Sequence, residues 1–187
     1  MKLDEVTEWR AFESPDGQVF DLSFLNAKKI KYTHTLEGKP DIEYDFWITY
    51  SSHCFTKSYG HQSEEEREAL NYAAPKESRP FCQRRYSLAQ RYLCQIIENL
   101  GSPDYIITDA GYGSYLTEKI VDETGDETWY HIPFKVYRYQ KKYRLHVMSA
   151  FPAEERRGAG KVGFFKIAYN LRMGKPLPKN PHRGRRW

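Results

Sequence analysis

Two histidines stand where proton-transfer chemistry needs them. His53 lies in Ser51-Ser-His-Cys-Phe-Thr-Lys57, a polar cluster that closes an aromatic, β-rich run, and His146 lies in Arg144-Leu-His-Val-Met-Ser149. Alternate residues of a strand share a face, so Arg144 and His146 stand together while Leu145 and Val147 turn the other way. Ser149 belongs with that second set unless a bulge intervenes. A cation beside a group that titrates near neutral pH suits phosphoryl chemistry. Metal-free RNA cleavage asks for a base to take the 2′-OH proton, a cation for the charged phosphorane, and an acid for the leaving 5′-oxygen. His53 and His146 share the acid and base roles if the fold brings them together. Arg144, Lys57 or a helix arginine then holds phosphate.

Other chemistries find less support. There is no G-x-x-x-x-G-K-[ST] run, and Gly111-Tyr-Gly113 lacks the third glycine of a dinucleotide fingerprint, so it reads as a loop. No H-E-x-x-H or Cys/His zinc spacing occurs, and neither Glu43 with Asp45 nor Asp104 with Asp109 singles out a Mg²⁺ site. No metal and no cofactor is expected. Cys54, Cys82 and Cys94 are odd in number and far apart, which suits buried thiols. Cys54 as a nucleophile beside His53 is disfavoured, because neighbours on a strand point apart. His34, His61, His131 and His182 have no notable company and read as structural or surface residues.

Charge divides the chain. Residues 154–187 carry ten Lys/Arg against Glu154 and Glu155, whereas residues 1–153 carry 19 basic and 23 acidic side chains. An acidic body with a basic end points to a polyanion or an acidic partner. The expected nucleic-acid-binding set is Lys57, Arg84, Arg85, Arg91, Lys141 and Lys142, with Arg183, Arg185 and Arg186 of the tail. No stretch approaches the ~20 apolar residues of a membrane span, and Met1-Lys-Leu-Asp-Glu5 lacks a signal peptide's apolar run. A cytoplasmic chain without membrane contact is expected.

These residues need elements to hold them. Ser14-Pro-Asp-Gly17 signals a turn, and partial alternation follows over 19–25. A hairpin pairs 28–35 with 42–50 across Leu36-Glu-Gly-Lys-Pro40. Ser63 and Glu66 form a capping box for a helix that Pro75 stops near Ala73 or Ala74. A second, amphipathic helix follows Pro80, with apolar positions at 81, 88, 89, 92, 93, 96, 97 and 100, Arg84, Arg85 and Arg91 off the stripe, and Gly101 as its left-handed stop. Strands over 115–122, 129–139 and 143–151 form a meander with turns at Glu123-Thr-Gly-Asp126 and Gln140-Lys-Lys142. Pro133 removes one backbone donor, so its strand is bulged or partly at an edge there. A last helix covers 162–173, with Gly174 as its stop, and 175–187 is an extended arm. The expected fold is α+β: an antiparallel sheet of hairpin plus C-terminal meander, packed against two or three helices in one domain, 1–174, with a basic arm behind it.

Tyr130-His-Ile-Pro-Phe-Lys-Val136 and Tyr143-Arg-Leu-His-Val-Met-Ser-Ala-Phe-Pro152 resemble the final strands of the barnase–EndoU–colicin–RelE type of ribonuclease toxin, and Tyr50-Ser-Ser-His-Cys-Phe-Thr56 is similar to a His-containing motif upstream in some of them. The resemblance spans roughly 42–57 and 80–152, about half of the chain. It implies a small α+β fold, metal-independent RNA cleavage, catalytic candidates His53, Arg144, His146 and Ser149 with Thr56 in support, and restraint by an antitoxin. Two other functions fit the same charge pattern. One is a non-catalytic nucleic-acid-binding module working through the tail and the Arg-bearing helix. The other is a protein-interaction subunit whose tail docks on an acidic partner.

Overall fold

The computed structural model describes residues 5–111, 114–156 and 160–179. The fold is α+β. Two short strands, β1 (Phe12–Glu13) and β2 (Val19–Phe20), pair across the Ser14–Gly17 turn, where Gly17 takes a φ of +84°. The rest of 19–25 is a single 3-10 turn, Ser23–Leu25, that buries Leu25. The hairpin forms as β3 (Lys28–His34) with β4 (Ile42–Tyr50). The capping box is present on α1 (Glu64–Ala69). That helix ends earlier than expected, because no residue of it is buried and no apolar stripe extends it. The chain instead turns back as a small hairpin, β5 (Asn71–Ala73) with β6 (Ser78–Pro80), which delivers Tyr72 to an aromatic cluster with Trp9, Phe12 and Phe55.

The amphipathic helix, α2, covers 83–98 and is α-helical over Gln83–Leu88 and Cys94–Glu98, with a π-helical turn at Ala89–Leu93 between. Gly101 does not cap it in a left-handed conformation. Its role is close approach, since a Cβ there would sit 2.8 Å from the Phe165 ring. A strand not foreseen, β7 (Ile106–Gly111), then leads to the meander of β8 (Ser114–Glu123), β9 (Asp126–Tyr139) and β10 (Lys142–Val147). Thr124 and Gly125, like Gln140 and Lys141, take positive φ, as tight two-residue hairpin turns require. The last helix, α3 (Phe164–Arg172), is followed by Gly174 at φ +64°. Lys175–Lys179 continues without helix or strand, and Tyr115 Oη donates to the Pro178 carbonyl at 2.9 Å.

The main sheet has the order β3-β4-β10-β9-β8-β7. It is not wholly antiparallel: β10 pairs with β4 in parallel, in a register that puts His146 beside Thr49 and Val147 beside Tyr50. The expected strand 143–151 breaks after Val147 and resumes as β11 (Phe151–Ala153), also on β9. Pro133 accounts for the break. On its β10 side the ladder stops at Phe134, and β11 takes over only at His131, so the missing donor falls in the gap between two partners. One face of the sheet is the core. Phe46, Ile48, Tyr50, Phe134, Leu145 and Val147 are buried with Leu93 and Ile97 of α2 and Phe164 and Ile167 of α3. The opposite face carries Trp47, Thr49, Arg144 and His146.

Candidate active site

His53 is held by the turn that follows β4. Ser51 ends the strand pairing by donating its N–H to the Val147 carbonyl at 2.9 Å, and its hydroxyl accepts from the His53 N–H at 3.3 Å. The His53 carbonyl is fixed from two sides, by Arg85 Nη1 at 2.7 Å and Ser149 Oγ at 3.3 Å. The imidazole is left half-buried, its Nε2 bound to the Glu77 carboxylate, with Arg79 Nη1 at 3.5 Å. The hydrogen bond with His53 is the main cause that holds the Glu77 carboxyl below the usual carboxylate range.

His146 arrives from the parallel partner strand. Its Nδ1 lies 2.9 Å from Thr49 Oγ1, the residue beside it in the register. Glu5 reaches in from the N-terminal segment: one oxygen pairs with Arg144 Nη1 at 2.9 Å, and the other stands 4.0 Å from His146 Nδ1 without a hydrogen-bond partner. Burial raises the Glu5 carboxyl, and the Arg144 charge offsets part of that rise. Burial first, then the charges of Lys76 and Lys135, push the His146 imidazole down to about 4. His146 is therefore neutral at physiological pH. With its proton on Nδ1, donated to Thr49, Nε2 is left as an acceptor.

Both histidines line one cavity of about 160 Å³, whose walls include Trp9, Ser51, Ser52, His53, Lys76, Glu77 and His146. Of the other expected catalytic residues, Arg144 is turned to Glu5 and lies over the Tyr139 ring. Beyond the strand break, Ser149 donates to the His53 carbonyl at 3.3 Å and is not among the residues that line this cavity. Thr56 is fully buried and donates to the Ser52 carbonyl at 2.8 Å, which makes it part of the turn's frame. Cys54 is also fully buried, its thiol pushed up to about 12 by burial.

The arginines of α2 are mostly engaged. Arg84 pairs with Glu123, Arg91 stands 4.0 Å from Asp122, and Arg85 serves the His53 and Thr56 carbonyls. Lys57 lies over the Tyr59 ring, while Lys141 and Lys142 sit exposed at the β9–β10 turn. Arg183, Arg185 and Arg186 lie outside the described residues. His131 is not without company: it is fully buried, 3.1 Å from the Glu118 carboxylate. Among the described residues, no group of three or more His, Cys, Asp and Glu is placed to hold a metal ion, and no helix is long and apolar enough to cross a membrane.

Glu5, Trp9, Thr49, Lys76 and Glu77 complete the site and have no motif. The one available signal is Thr49, a polar residue at the end of a β-rich run and directly before Tyr50-Ser-Ser-His53.

Comparison with known proteins bears on the whole chain. The family model described as "YjaZ family" matches residues 8–172. Protein YjaZ of Escherichia coli (strain K12) is 50% identical over 175 residues, covering 94% of this chain and 97% of that protein. No solved structure matches the chain.

Proposed function

The chain belongs to the YjaZ family, and from the geometry of the shared cavity we propose that it is a metal-independent endoribonuclease working by general acid–base catalysis. The observation that carries this reading is that His53 and His146, 93 positions apart in the chain, line the same small cavity in different electrostatic settings. His146, kept neutral by burial and by Lys76 and Lys135, takes the 2′-OH proton at Nε2. Its conjugate acid then has Thr49 at hydrogen-bond distance and the spare oxygen of Glu5 at 4.0 Å to receive the new charge. His53, held through Nε2 by the Glu77 carboxylate, gives a proton from its other ring nitrogen to the leaving 5′-oxygen. Lys76 offers positive charge to the phosphorane from the cavity wall.

The test is cleavage of a structured and an unstructured RNA with EDTA present. His53→Ala and His146→Ala should each lower the rate by ~10²–10⁴-fold with the fold retained. The acid limb of the rate profile should bend near pH 4, where His146 gains its proton. No cleavage of any RNA, or cleavage indifferent to both substitutions, overturns the reading.

A second reading follows from the size of the cavity, about 160 Å³, and from the pairing of Arg84 and Arg91 with carboxylates, which leaves α2 little charge for tracking a strand. The same pair of histidines then acts on a small phosphoester. Turnover of a 2′,3′-cyclic mononucleotide without RNA cleavage would favour it.

A further inference from the structure

We infer that Trp9 is a ligand-binding residue, and that its indole N–H donates to a phosphoryl oxygen seated in the cavity shared by His53 and His146. The inference deepens the reading above and rests on it only for what the phosphoryl group is attached to.

Trp9 is 7% exposed, and its Nε1 is buried with no hydrogen-bond partner. A buried donor left unmade forfeits its hydration, so natural structures keep few of them. The residue is held at its backbone and packed at its ring. Its backbone N–H is tied to Asn26 Oδ1 at 2.8 Å, and its ring packs edge-on against Phe55 at 5.1 Å and against Tyr72 at 6.1 Å. Trp9 itself belongs to the wall that also carries His53 and His146.

The rest of the lining defines what the donor awaits. Lys76 brings a positive charge, Ser51 and Ser52 bring hydroxyls, and among the described residues the one carboxylate in the lining, Glu77, is already bound to His53. A cavity with ammonium, hydroxyl and imidazole groups, and that carboxylate engaged, complements an anion rich in acceptor oxygens. Its volume of about 160 Å³ lies below the ~300–1,000 Å³ of drug-sized ligand sites. It is sized for one phosphoryl group with a sugar edge, leaving any base outside.

The experiment is calorimetric titration of the full chain at pH 7 with inorganic phosphate and, separately, uridine 3′-monophosphate. Trp9→Phe removes the N–H together with one ring of the indole, so some fall in melting temperature accompanies it. Titrated at a temperature where both chains are fully folded, it should weaken both ligands by about tenfold or more. As a check free of mutation, one of the four tryptophan indole N–H resonances of the unaltered chain should move downfield as phosphate is added. Binding by the monophosphate alone, lost in Trp9→Phe, supports the inference with a nucleotide as its source. Equal affinity in Trp9→Phe and the unaltered chain, or binding of neither ligand, overturns it. Loss of phosphate binding in Trp9→Phe without RNA cleavage in the unaltered chain would uphold the inference and sink the nuclease. Histidine-dependent cleavage with phosphate affinity indifferent to Trp9→Phe would do the reverse.

Discussion

On one face of the sheet, His131 and His146 each keep a glutamate and an arginine for company, and the two clusters end differently. His131 is paired across the β8–β9 ladder with Glu118, 3.1 Å away, and Arg156 reaches the second Glu118 oxygen at 3.6 Å. β11 sets Phe151 beside it in register, and neither His131 nor Glu118 keeps measurable contact with solvent beyond 2%. His146 stands where β10 ends and the ladder breaks. Its glutamate is 4.0 Å off, its arginine is turned to that glutamate, and a quarter of its side chain remains open. The same three residue types thus build a sealed pair in one place and a cavity wall in the other. What separates them is whether the next strand segment covers the imidazole.

That contrast can be attacked from both sides. The largest effect on stability belongs to Glu118→Ala, which takes the carboxylate away from a fully buried imidazole and should cost about 3–5 kcal/mol in urea unfolding, with the proposed RNA cleavage per folded molecule unchanged. A loss of cleavage instead would erase the distinction between the clusters. The next effect is pH dependence. The folded pKa of His146, about 4, lies below its ordinary 6.5, so the unfolded chain binds the proton first. Stability is unaffected above pH 6.5 and falls as pH drops toward 4, by about 3 kcal/mol from this group. Relief of the buried Glu5 charge, whose pKa is raised, works the opposite way over its own titration. His146→Gln should flatten the acid limb, and a limb as steep as before would show that His146 is not its source. Arg144→Ala leaves Glu5, 9% exposed, without its partner and should cost about 1–3 kcal/mol. Arg156→Ala should cost only about 0.2–1 kcal/mol, because Arg156 is 44% exposed. If the two arginines proved equal in thermal melts, exposure would not be what ranks them.

Much of this was legible from local patterns. The two-residue turn at Thr124-Gly125 fixes the β8–β9 register, and with it the opposition of Glu118 and His131. The turn at Gln140-Lys141 likewise puts Lys135 opposite His146. Alternation gave the division of β10 into Leu145 and Val147 inward, Arg144 and His146 outward. The parallel junction of β4 with β10 has no turn to announce it, since 91 residues separate the two strands. Glu5 and Trp9 belong to a polar N-terminal stretch with no periodicity, and only tertiary packing brings them to the cavity. The left-handed stop expected at Gly101 failed for a related reason: the glycine answers to a ring 64 positions away, not to the helix beside it.

The β4–β10 ladder also sets a timetable. Thr49 and His146 are 97 positions apart, a non-local contact of the kind that forms late and slowly. During synthesis His53 emerges long before its counterpart, and β4 must wait with one edge unpaired until Val147 has left the ribosome. A chain released early would carry a bare strand edge open to misassociation, and His53 without His146. The cavity lined by His53 and His146 is therefore absent from the nascent chain until the β10 segment has emerged.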